Sequence, residues 1–407
     1  MPTRNKTDQT PTEVILHDSH RRIPLHRKAA GKIDPETRAE LRIADALSVG
    51  AHPDIAPVSR IGFDAALDAL ALNSKLAIAS DINCYVDWCL AEKRTAFPAE
   101  AETIVRYIEE RDRQKAKPST IARRIGSIAT AHSMLELDTD AVHSRMVKNR
   151  LKAIRKKRGA KVRQAQAIRF GDALSADSSP VTIGALLELC SETLTGLRDA
   201  AMLSAGYNAG LRVSELCAIQ VEDIESAEEG TGSLFIPESK TDQERNGAYA
   251  WLSADTMRRI RRWLDAASIT EGTVFRRVHV TRKKGKAAEG GHDAGSIPIQ
   301  QGMAVYTAGT EPLTRQGVNG IYRRIIKEAW AAGLVDVPGG DIAAYIRTIS
   351  THSLRVGLTQ DLIAEGQDGV AIAQALRWSS PSTAQRYGAQ LRVRSGAVAN
   401  TFKAVWK

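Results

Sequence analysis

Two short motifs in the second half of the chain each pair an arginine with a group that could assist it. Arg212 and Glu215 are three residues apart, as are His352 and Arg355, so each pair shares one face of a helix. A guanidinium offers a planar fork of donors to phosphate oxygens, and an imidazole can transfer a proton near neutral pH. Either pair alone is a weak signal, because exposed Arg–Glu pairs are common and a single histidine is more often structural.

A third motif, LRWSSPSTAQRY at residues 376–387, ends in a tyrosine. Its serine-rich turn is expected to cap a short helix that carries Tyr387. A tyrosine hydroxyl has an ordinary pKa of about 10 and is a poor nucleophile unless cations surround it. Taken alone, Tyr387 would be interpreted as a packing residue.

The order and spacing of these motifs resemble the tyrosine recombinase (integrase) family. The resemblance runs from about residue 70 to the end of the chain. It is carried by GLRVSEL at 210–216, SKTDQ at 239–243, HSLRVG at 352–357 and LRWSSPSTAQRY at 376–387. Four such strings in this order, behind a basic helical region, are specific as a set.

The resemblance implies a role for each matching residue. Arg212 and Arg355 would clamp the scissile phosphate, and Glu215 would brace the first arginine. His352 would be a hydrogen-bond and proton-transfer partner, and Lys240, in a β-turn, would protonate the leaving 5′-hydroxyl. Trp378 stands in the place usually held by a second histidine, and Tyr387 would be the nucleophile. Preformed cations aimed at the developing phosphate charge could supply several kcal/mol. The resemblance implies no metal and no cofactor.

The third motif departs from the common family pattern. Arg377-Trp378 stands where Gly-His is usual. An indole N–H can donate a hydrogen bond but cannot shuttle a proton. Trp378 resembles the Cre-type subgroup, so we expect an active variant, and plain core packing is the alternative interpretation of this residue.

Composition favours a polyanionic partner. The chain has 407 residues and a net charge of +10, which predicts two domains and, as the first candidate partner, double-stranded DNA. No stretch approaches a membrane span, and the polar N-terminus offers no secretory signal, so no membrane partner is expected. The cysteines (Cys84, Cys89, Cys190 and Cys217) lack C-x-x-C spacing and are expected to be free thiols in a reducing cytoplasm.

The hydrophobic pattern predicts a fold that is mainly α with a small antiparallel sheet. We expect a flexible N-terminal arm at 1–58, a helical core DNA-binding domain at 59–158, a linker at 159–179, and a mixed α/β catalytic domain at 180–407. The arm contains one helix signal, at Asp34-Pro35-Glu36. Four helices are expected in the helical domain. Strands at 234–237 and 248–252 and five later helices are expected in the catalytic domain, with loops and a short extension at 279–311.

Two groups of basic residues in the helical domain are candidates for DNA contact. They are Arg123 and Arg124, which lie off the apolar face of their helix, and the run Arg155, Lys156 and Lys157. Arg123 and Arg124 could equally be solvated.

The expected function is site-specific DNA recombination, with the protein as a dimer on one site and a tetramer in synapsis. The apolar residues Val398, Phe402, Val405 and Trp406 are expected to dock into a neighbouring protomer, or else to pack on their own domain. A type IB topoisomerase shares the Arg, Lys and Tyr chemistry, and a relative without catalysis would only bind DNA, so both remain alternatives.

Overall fold

The computed structural model of the protein describes residues 33–56, 58–159, 164–170, 180–237, 247–282 and 304–388. The chain divides into two compact units, Met1–Val162 and Arg163–Lys407. The architecture is mainly helical with small antiparallel sheets, which confirms the predicted fold class. None of the helices in the described ranges is long and apolar enough to cross a bilayer.

The first unit is built from helices alone over its described residues. They are α1 (Pro35–Gly50), α2 (Arg60–Asp68), α3 (Leu72–Ala91), α4 (Ala101–Arg113), α5 (Pro118–Met134) and α6 (Arg145–Arg158). The four helices expected in this domain correspond to α3–α6, whereas α2 was not predicted. Tyr85 and Tyr107 are buried at the centre of the core with ring centroids 5.1 Å apart, and isoleucines from α3, α4 and α5 surround them.

The prediction of a flexible arm is wrong for residues 35–50, because α1 is part of this core. Asp34 caps the helix by accepting from the backbone N–H groups of Glu36 and Thr37. The side chains of Ala39, Ile43, Ala46 and Leu47 recur at helical spacing and are buried. The buried Lys75 of α3 also joins the two helices through ion pairs to Glu36 and Glu40, at 2.6 and 2.5 Å.

The second unit is built around a helix, Leu194–Asn208, which immediately precedes the first motif. Its elements are α7 (Ile183–Glu188), α8 (Leu194–Asn208), α9 (Val213–Ala218), β1 (Ile224–Ser226), β2 (Gly232–Ile236), β3 (Ala248–Leu252), α10 (Ala254–Ala267), β4 (Arg276–Arg282), β5 (Ala304–Pro312), α11 (Arg315–Ala331), α12 (Ile342–Thr348), α13 (Ser353–Ala364), α14 (Gly369–Ala375) and α15 (Ser382–Tyr387). Helix α8 packs against α10 and α13 and is almost entirely buried.

The two predicted strands pair as an antiparallel hairpin, with β1 added at the edge of β2. Leu234 lies opposite Ala250, and Ile236 lies opposite Ala248. Leu234, Ile236 and Leu252 face the core. Residues 238–246, between β2 and β3, include Lys240 and lie outside the described residues.

The expectation of loops at 279–311 is wrong at both ends of that stretch. Strands β4 and β5 pair there as a second antiparallel sheet, with Val278 opposite Ala308 and Val280 opposite Tyr306. Val278 and Ala308 pack against the core of the unit. The many basic residues obscured a short alternation of apolar and polar side chains in Arg276–Arg282.

The predicted linker at 159–179 is also wrong in part, because residues 164–170 pack onto α13. Ile168 is fully buried, and its backbone N–H donates to the carbonyl of Ser353 at 3.1 Å. Gly357 permits this contact, since a Cβ there would lie 1.7 Å from the carbonyl oxygen of Ile168. Arg169 then donates to the buried carboxylate of Asp361 at 2.6 Å. This segment fixes the helix that carries the second motif.

Candidate active site

The first motif begins where α8 ends. Gly210 adopts φ +54°, and a Cβ there would lie 2.3 Å from Leu376, so glycine is required for this turn. Arg212 follows at the start of α9, where its backbone N–H donates to Glu215 Oε2 at 2.8 Å. Its guanidinium donates to the other carboxylate oxygen at 2.6 Å. The short turn therefore fixes Arg212 from both its backbone and its side chain.

Glu215 is a buried carboxylate that stays ionised. Its side chain is only 2% exposed. Burial alone would raise its pKa, but hydrogen bonds from Arg212 and the charges of Arg377 and Arg212 outweigh that effect. The pKa of Glu215 is consequently held below its ordinary value, and the brace is anionic at neutral pH.

The second motif places a buried cation beside the first. Arg355 lies in the first turn of α13 and is 2% exposed. Its guanidinium donates to the backbone carbonyls of Gly210 and Leu376. Burial, followed by the nearby charge of Arg212, lowers the pKa of Arg355 to about 9. The group remains protonated at neutral pH, held by carbonyls from the first and third motifs.

His352 occupies the position immediately before α13 and its side chain is exposed. It lies one helical turn before Arg355. Its backbone N–H donates to the hydroxyl of Ser350 at 3.1 Å, which helps to fix the start of the helix. The structure therefore gives His352 both access to solvent and proximity along the chain to the buried arginine.

The third motif brings an aromatic pair to the same place. The rings of Trp378 and Tyr387 are stacked, with centroids 5.3 Å apart and 12° between their planes. The guanidinium carbon of Arg355 lies 5.4 Å from the centroid of the same indole. Tyr387 is half-buried and is the last residue of α15. The next residue is Gly388, and a Cβ added there would lie only 2.7 Å from the side chain of Ile363.

Arg377 is a further charged residue of this site. The sequence predicted no role for Arg377 and showed it only as a departure from the family pattern. Its guanidinium approaches Glu215 Oε2 at 3.3 Å and donates to the carbonyl of Ala209 at 3.0 Å. The only sequence signal for it was a charge between the apolar residues Leu376 and Trp378.

The structure thus brings together most of the residues predicted from sequence. Arg212, Glu215, Arg355, Trp378 and Tyr387 form one connected set, with His352 a turn away. Over the described parts of the chain, no group of three His, Cys, Asp or Glu side chains is arranged to hold a metal ion.

The two candidate DNA-contact residues on α5, Arg123 and Arg124, form ion pairs with a buried aspartate. Arg123 and Arg124 lie 2.9 and 3.6 Å from the carboxylate of Asp81, which is 1% exposed. Ser127 donates to the same carboxylate at 2.9 Å. Burial raises the pKa of Asp81 above its ordinary value despite these partners. Arg123 is half-exposed and Arg124 less so, so the two are oriented rather than freely solvated.

The candidates on α6 belong to a longer basic surface. Arg155, Lys156 and Lys157 are exposed, as are three earlier basic residues of the same helix that the sequence prediction did not include. We call Arg145, Lys148, Lys152, Arg155 and Lys156 the α6 stripe, since their spacing places them on one side of the helix. On another side, Arg150 and Arg158 pair with Glu109 and Asp112 of α4, at 3.1 and 3.0 Å.

Two other predictions cannot be located in the structure. Lys240 and the apolar C-terminal residues Val398, Phe402, Val405 and Trp406 lie outside the described residues.

Comparisons with known proteins give the same assignment as the motifs. The profile of the phage integrase family matches residues 179–392. The chain is 31% identical over 216 residues to an integrase/recombinase xerD homolog of Selenomonas ruminantium, over 50% of this chain and 59% of that protein. It is 26% identical over 191 residues to tyrosine recombinase XerC of Treponema denticola, over 47% and 51%. The match therefore covers between half and three fifths of the length of these relatives.

A solved structure shares the fold. The XerH site-specific recombinase, bound to a palindromic difH substrate in a post-cleavage complex, superposes with a TM-score of 0.54. The two proteins are 12% identical, and the match covers 90% of this chain and 97% of that one.

Proposed function

Because this chain belongs to the phage integrase family, we propose that it is a site-specific recombinase that cleaves and rejoins double-stranded DNA through a covalent 3′-phosphotyrosine at Tyr387. One observation carries the proposal. Tyr387 stacks on Trp378, and that indole lies 5.4 Å from the guanidinium carbon of the buried Arg355. Arg355 also donates to the carbonyl of Gly210, in the turn that presents Arg212. A poor nucleophile is thereby placed beside preformed positive charge.

The cleavage step exchanges one phosphate ester for another. The hydroxyl of Tyr387 loses its proton to His352 or to solvent as its oxygen attacks phosphorus and forms the Tyr–O–P bond, while the bond from phosphorus to the 5′ oxygen breaks. His352 is the proposed hydrogen-bond and proton-transfer partner, and Lys240 protonates the leaving 5′ oxygen. A 5′-hydroxyl then attacks the phosphotyrosine and releases Tyr387, so no external energy source is required for rejoining.

The proposed task of Arg212 and Arg355 is to stabilise the charge that develops on the nonbridging phosphate oxygens. Both are fixed before DNA arrives, Arg212 by Glu215 and Arg355 by two carbonyls. Groups that need no reorganisation during the reaction stabilise a transition state most effectively, and one such donor typically contributes about 3–4 kcal/mol.

We further propose that Trp378 places the protein with the Cre-type variants, in which the third motif works without a second histidine. The indole orients the tyrosine ring by stacking, and it contacts the clamp arginine through its face. Neither contact requires proton transfer by Trp378.

The first unit is proposed to grip the DNA duplex through its basic side chains. Arg123 and Arg124 are oriented by the buried Asp81, and Arg155, Lys156 and Lys157 are exposed on α6. The net charge of +10 supports binding that is largely electrostatic, with phosphate contacts that position the protein and carry little sequence information.

We propose that recombination proceeds in a tetramer, with a dimer on each site and a Holliday junction between two rounds of strand exchange. In this scheme Val398, Phe402, Val405 and Trp406 dock into the next protomer, a head-to-tail contact that can close a ring. Deleting residues 396–407 should leave a folded protein that binds single sites but does not synapse. We place this activity in the cytoplasm, at the nucleoid.

A nicked suicide substrate tests the chemistry. The piece beyond the nick diffuses away after cleavage, so a live enzyme accumulates as a covalent DNA adduct, and Tyr387→Phe should bind the same DNA without forming it. If the wild-type protein binds but forms no adduct, the interpretation as a non-catalytic DNA-binding protein holds instead. Relaxation of a plasmid without a recognition site would favour the topoisomerase alternative.

A further inference from the structure

We propose that Arg377 is a positioning residue that holds Glu215, and through it Arg212, in the geometry that cleavage requires. The proposal rests on the recombinase function proposed above. The side chain of Arg377 is 6% exposed and contacts protein groups, so its effect on the reaction is exerted through other residues.

The backbone does not explain an arginine at this position. Helix α14 ends at Ala375, and Arg377 turns the chain towards Trp378 with φ +55°, a left-handed conformation in which glycine is favoured. The turn is closed by backbone hydrogen bonds from Arg377 to Gln374 and from Trp378 to Ala373, at 3.1 and 2.8 Å. A glycine could make both bonds, so the arginine is explained by its side chain.

That side chain reaches from the third motif to the first. One terminal nitrogen, Nη2, lies 3.3 Å from Glu215 Oε2 and donates to the carbonyl of Ala209 at 3.0 Å. The other, Nη1, donates to the carbonyl of Ala375 at 3.3 Å. The carbonyl of Arg377 in turn accepts from Arg212 Nη2 at 3.4 Å. Arg377 therefore contacts both members of the first motif, one through its side chain and the other through its backbone.

The two arginines divide the carboxylate of Glu215 between them. Oε1 accepts from the guanidinium of Arg212 at 2.6 Å, whereas Oε2 accepts from the backbone of Arg212 and faces Arg377. With its side chain 2% exposed, Glu215 depends on these two cations to remain ionised, because water cannot compensate for the loss of either. A neutral Glu215 would no longer hold the guanidinium of Arg212 by charge.

This arrangement gives a prediction with a definite sign. Cleavage needs the ionised form of Glu215, and Arg212 and Arg377 lower its pKa against the effect of burial. Arg355 also interacts with Glu215 by charge. Removing Arg377 leaves Arg212 and Arg355 as the cations that oppose the effect of burial, so the pKa of Glu215 should rise. Activity in Arg377→Gly should then be lost at a higher pH than in the wild-type protein as the solution is made more acidic.

The experiment compares wild type, Arg377→Gly and Arg377→Lys on the nicked suicide substrate across a range of pH. Glycine suits the left-handed backbone, so this variant removes the side chain without new strain. We expect Arg377→Gly to form the adduct at least about tenfold more slowly than the wild-type protein. This loss of rate should be smaller than the loss caused by removing a preorganised donor such as Arg212. Its affinity for DNA should be unchanged, and Arg377→Lys should recover part of the rate because it keeps the charge without the fork.

A double-mutant cycle with Glu215→Gln separates positioning from a general structural role. If Arg377 acts through Glu215, changing it to glycine should cost little more once Glu215 is already glutamine. Wild-type cleavage by Arg377→Gly, an unshifted acid limb, or fully multiplicative losses in the double variant would each overturn the proposal. If Arg377→Gly shows no cooperative melting transition, the variant is not folded. The double-mutant cycle with Glu215→Gln is then made with Arg377→Lys, and the same outcomes apply.

The controls keep this test separate from that of the function itself. An absence of adduct in the wild-type protein refutes the recombinase proposal and the positioning role with it. An adduct in the wild-type protein that forms equally well in Arg377→Gly refutes only the positioning role.

Discussion

The indole of Trp378 lies nearly parallel to the ring of Tyr387, at a centroid separation of 5.3 Å and an interplanar angle of 12°. The same indole is 5.4 Å from the guanidinium carbon of Arg355. Trp378 therefore connects the candidate nucleophile to the candidate phosphate clamp by contact alone. In the proposed mechanism this contact gives Trp378 a role that needs no proton transfer.

Replacing Trp378 should slow cleavage according to how much of the stack is lost. An aromatic pair contributes about 0.5–1.5 kcal/mol beyond its buried area, so Trp378→Ala should slow adduct formation roughly 2-fold to 13-fold. Trp378→Phe keeps a ring against Tyr387 and should be closer to wild type. Single-turnover cleavage on nicked DNA measures both. A lower melting temperature in Trp378→Ala with an unchanged cleavage rate would instead support a packing role.

The two clamp arginines should be far more sensitive than Trp378. Changing Arg212 or Arg355 to alanine should slow cleavage on the order of 10²–10³-fold, as expected when one preorganised donor is removed. Lysine should restore only part of the rate, because a single ammonium cannot reproduce the two-point donation of a guanidinium. Rates are compared at saturating DNA so that weaker binding is not mistaken for slower chemistry. Wild-type rates in both lysine variants would exclude the clamp role.

Lys240 can be tested by changing the leaving group. Lys240→Ala should cleave ordinary DNA slowly, because the departing 5′ oxygen lacks its proton donor. A substrate with sulfur in place of that bridging oxygen releases a thiolate that needs no proton, so the variant should cleave it much faster. Arg212→Ala serves as the control, since its defect should persist on both substrates. Equal cleavage of the two substrates by Lys240→Ala would assign the lysine to another task.

The α6 stripe should dominate the salt dependence of DNA binding by the first unit. Neutralising Arg145, Lys148 and Lys152 together as glutamines should reduce the slope of log affinity against log salt by about 2–3, since each phosphate contact contributes about 0.9. A matched control removes the same charge from exposed lysines elsewhere in the unit: Lys93, Lys115 and Lys117. Equal changes in slope for the two triple variants would show that the effect is one of net charge and not of the stripe.

The parts of the structure that sequence could predict are those with strong local signals. The periodic apolar residues of α3–α6 and the β2–β3 hairpin follow directly from hydrophobic spacing, and the ordered motifs indicated the set that the structure connects. The pairing of Arg212 with Glu215 was expected because both lie on one helical turn. The contact of Trp378 with Arg355 joins separate elements, so only the order of the motifs pointed to it.

The misses arise from contacts between residues distant in sequence. Helix α1 showed a cap signal, but its attachment depends on packing of Ile43 and Leu47 in the core and on ion pairs to Lys75, all with residues outside its own segment. Residues 164–170 carry no periodic pattern, and they become ordered because Gly357 leaves room for Ile168 on α13. The bridge from Arg377 to Glu215 spans 162 residues, so neither local spacing nor composition could indicate it.

Tyr387 is the proposed nucleophile, and peptide mapping of the trapped adduct identifies the residue that carries the DNA. The wild-type protein is reacted with nicked DNA, and the adduct is digested with nuclease and trypsin and then sequenced by mass spectrometry. Trypsin cuts after Arg386 and Arg392, so we expect a nucleotide-bearing peptide spanning 387–392 with the added mass on Tyr387. The same mass on any other residue, or a covalent adduct that persists in Tyr387→Phe, would contradict it.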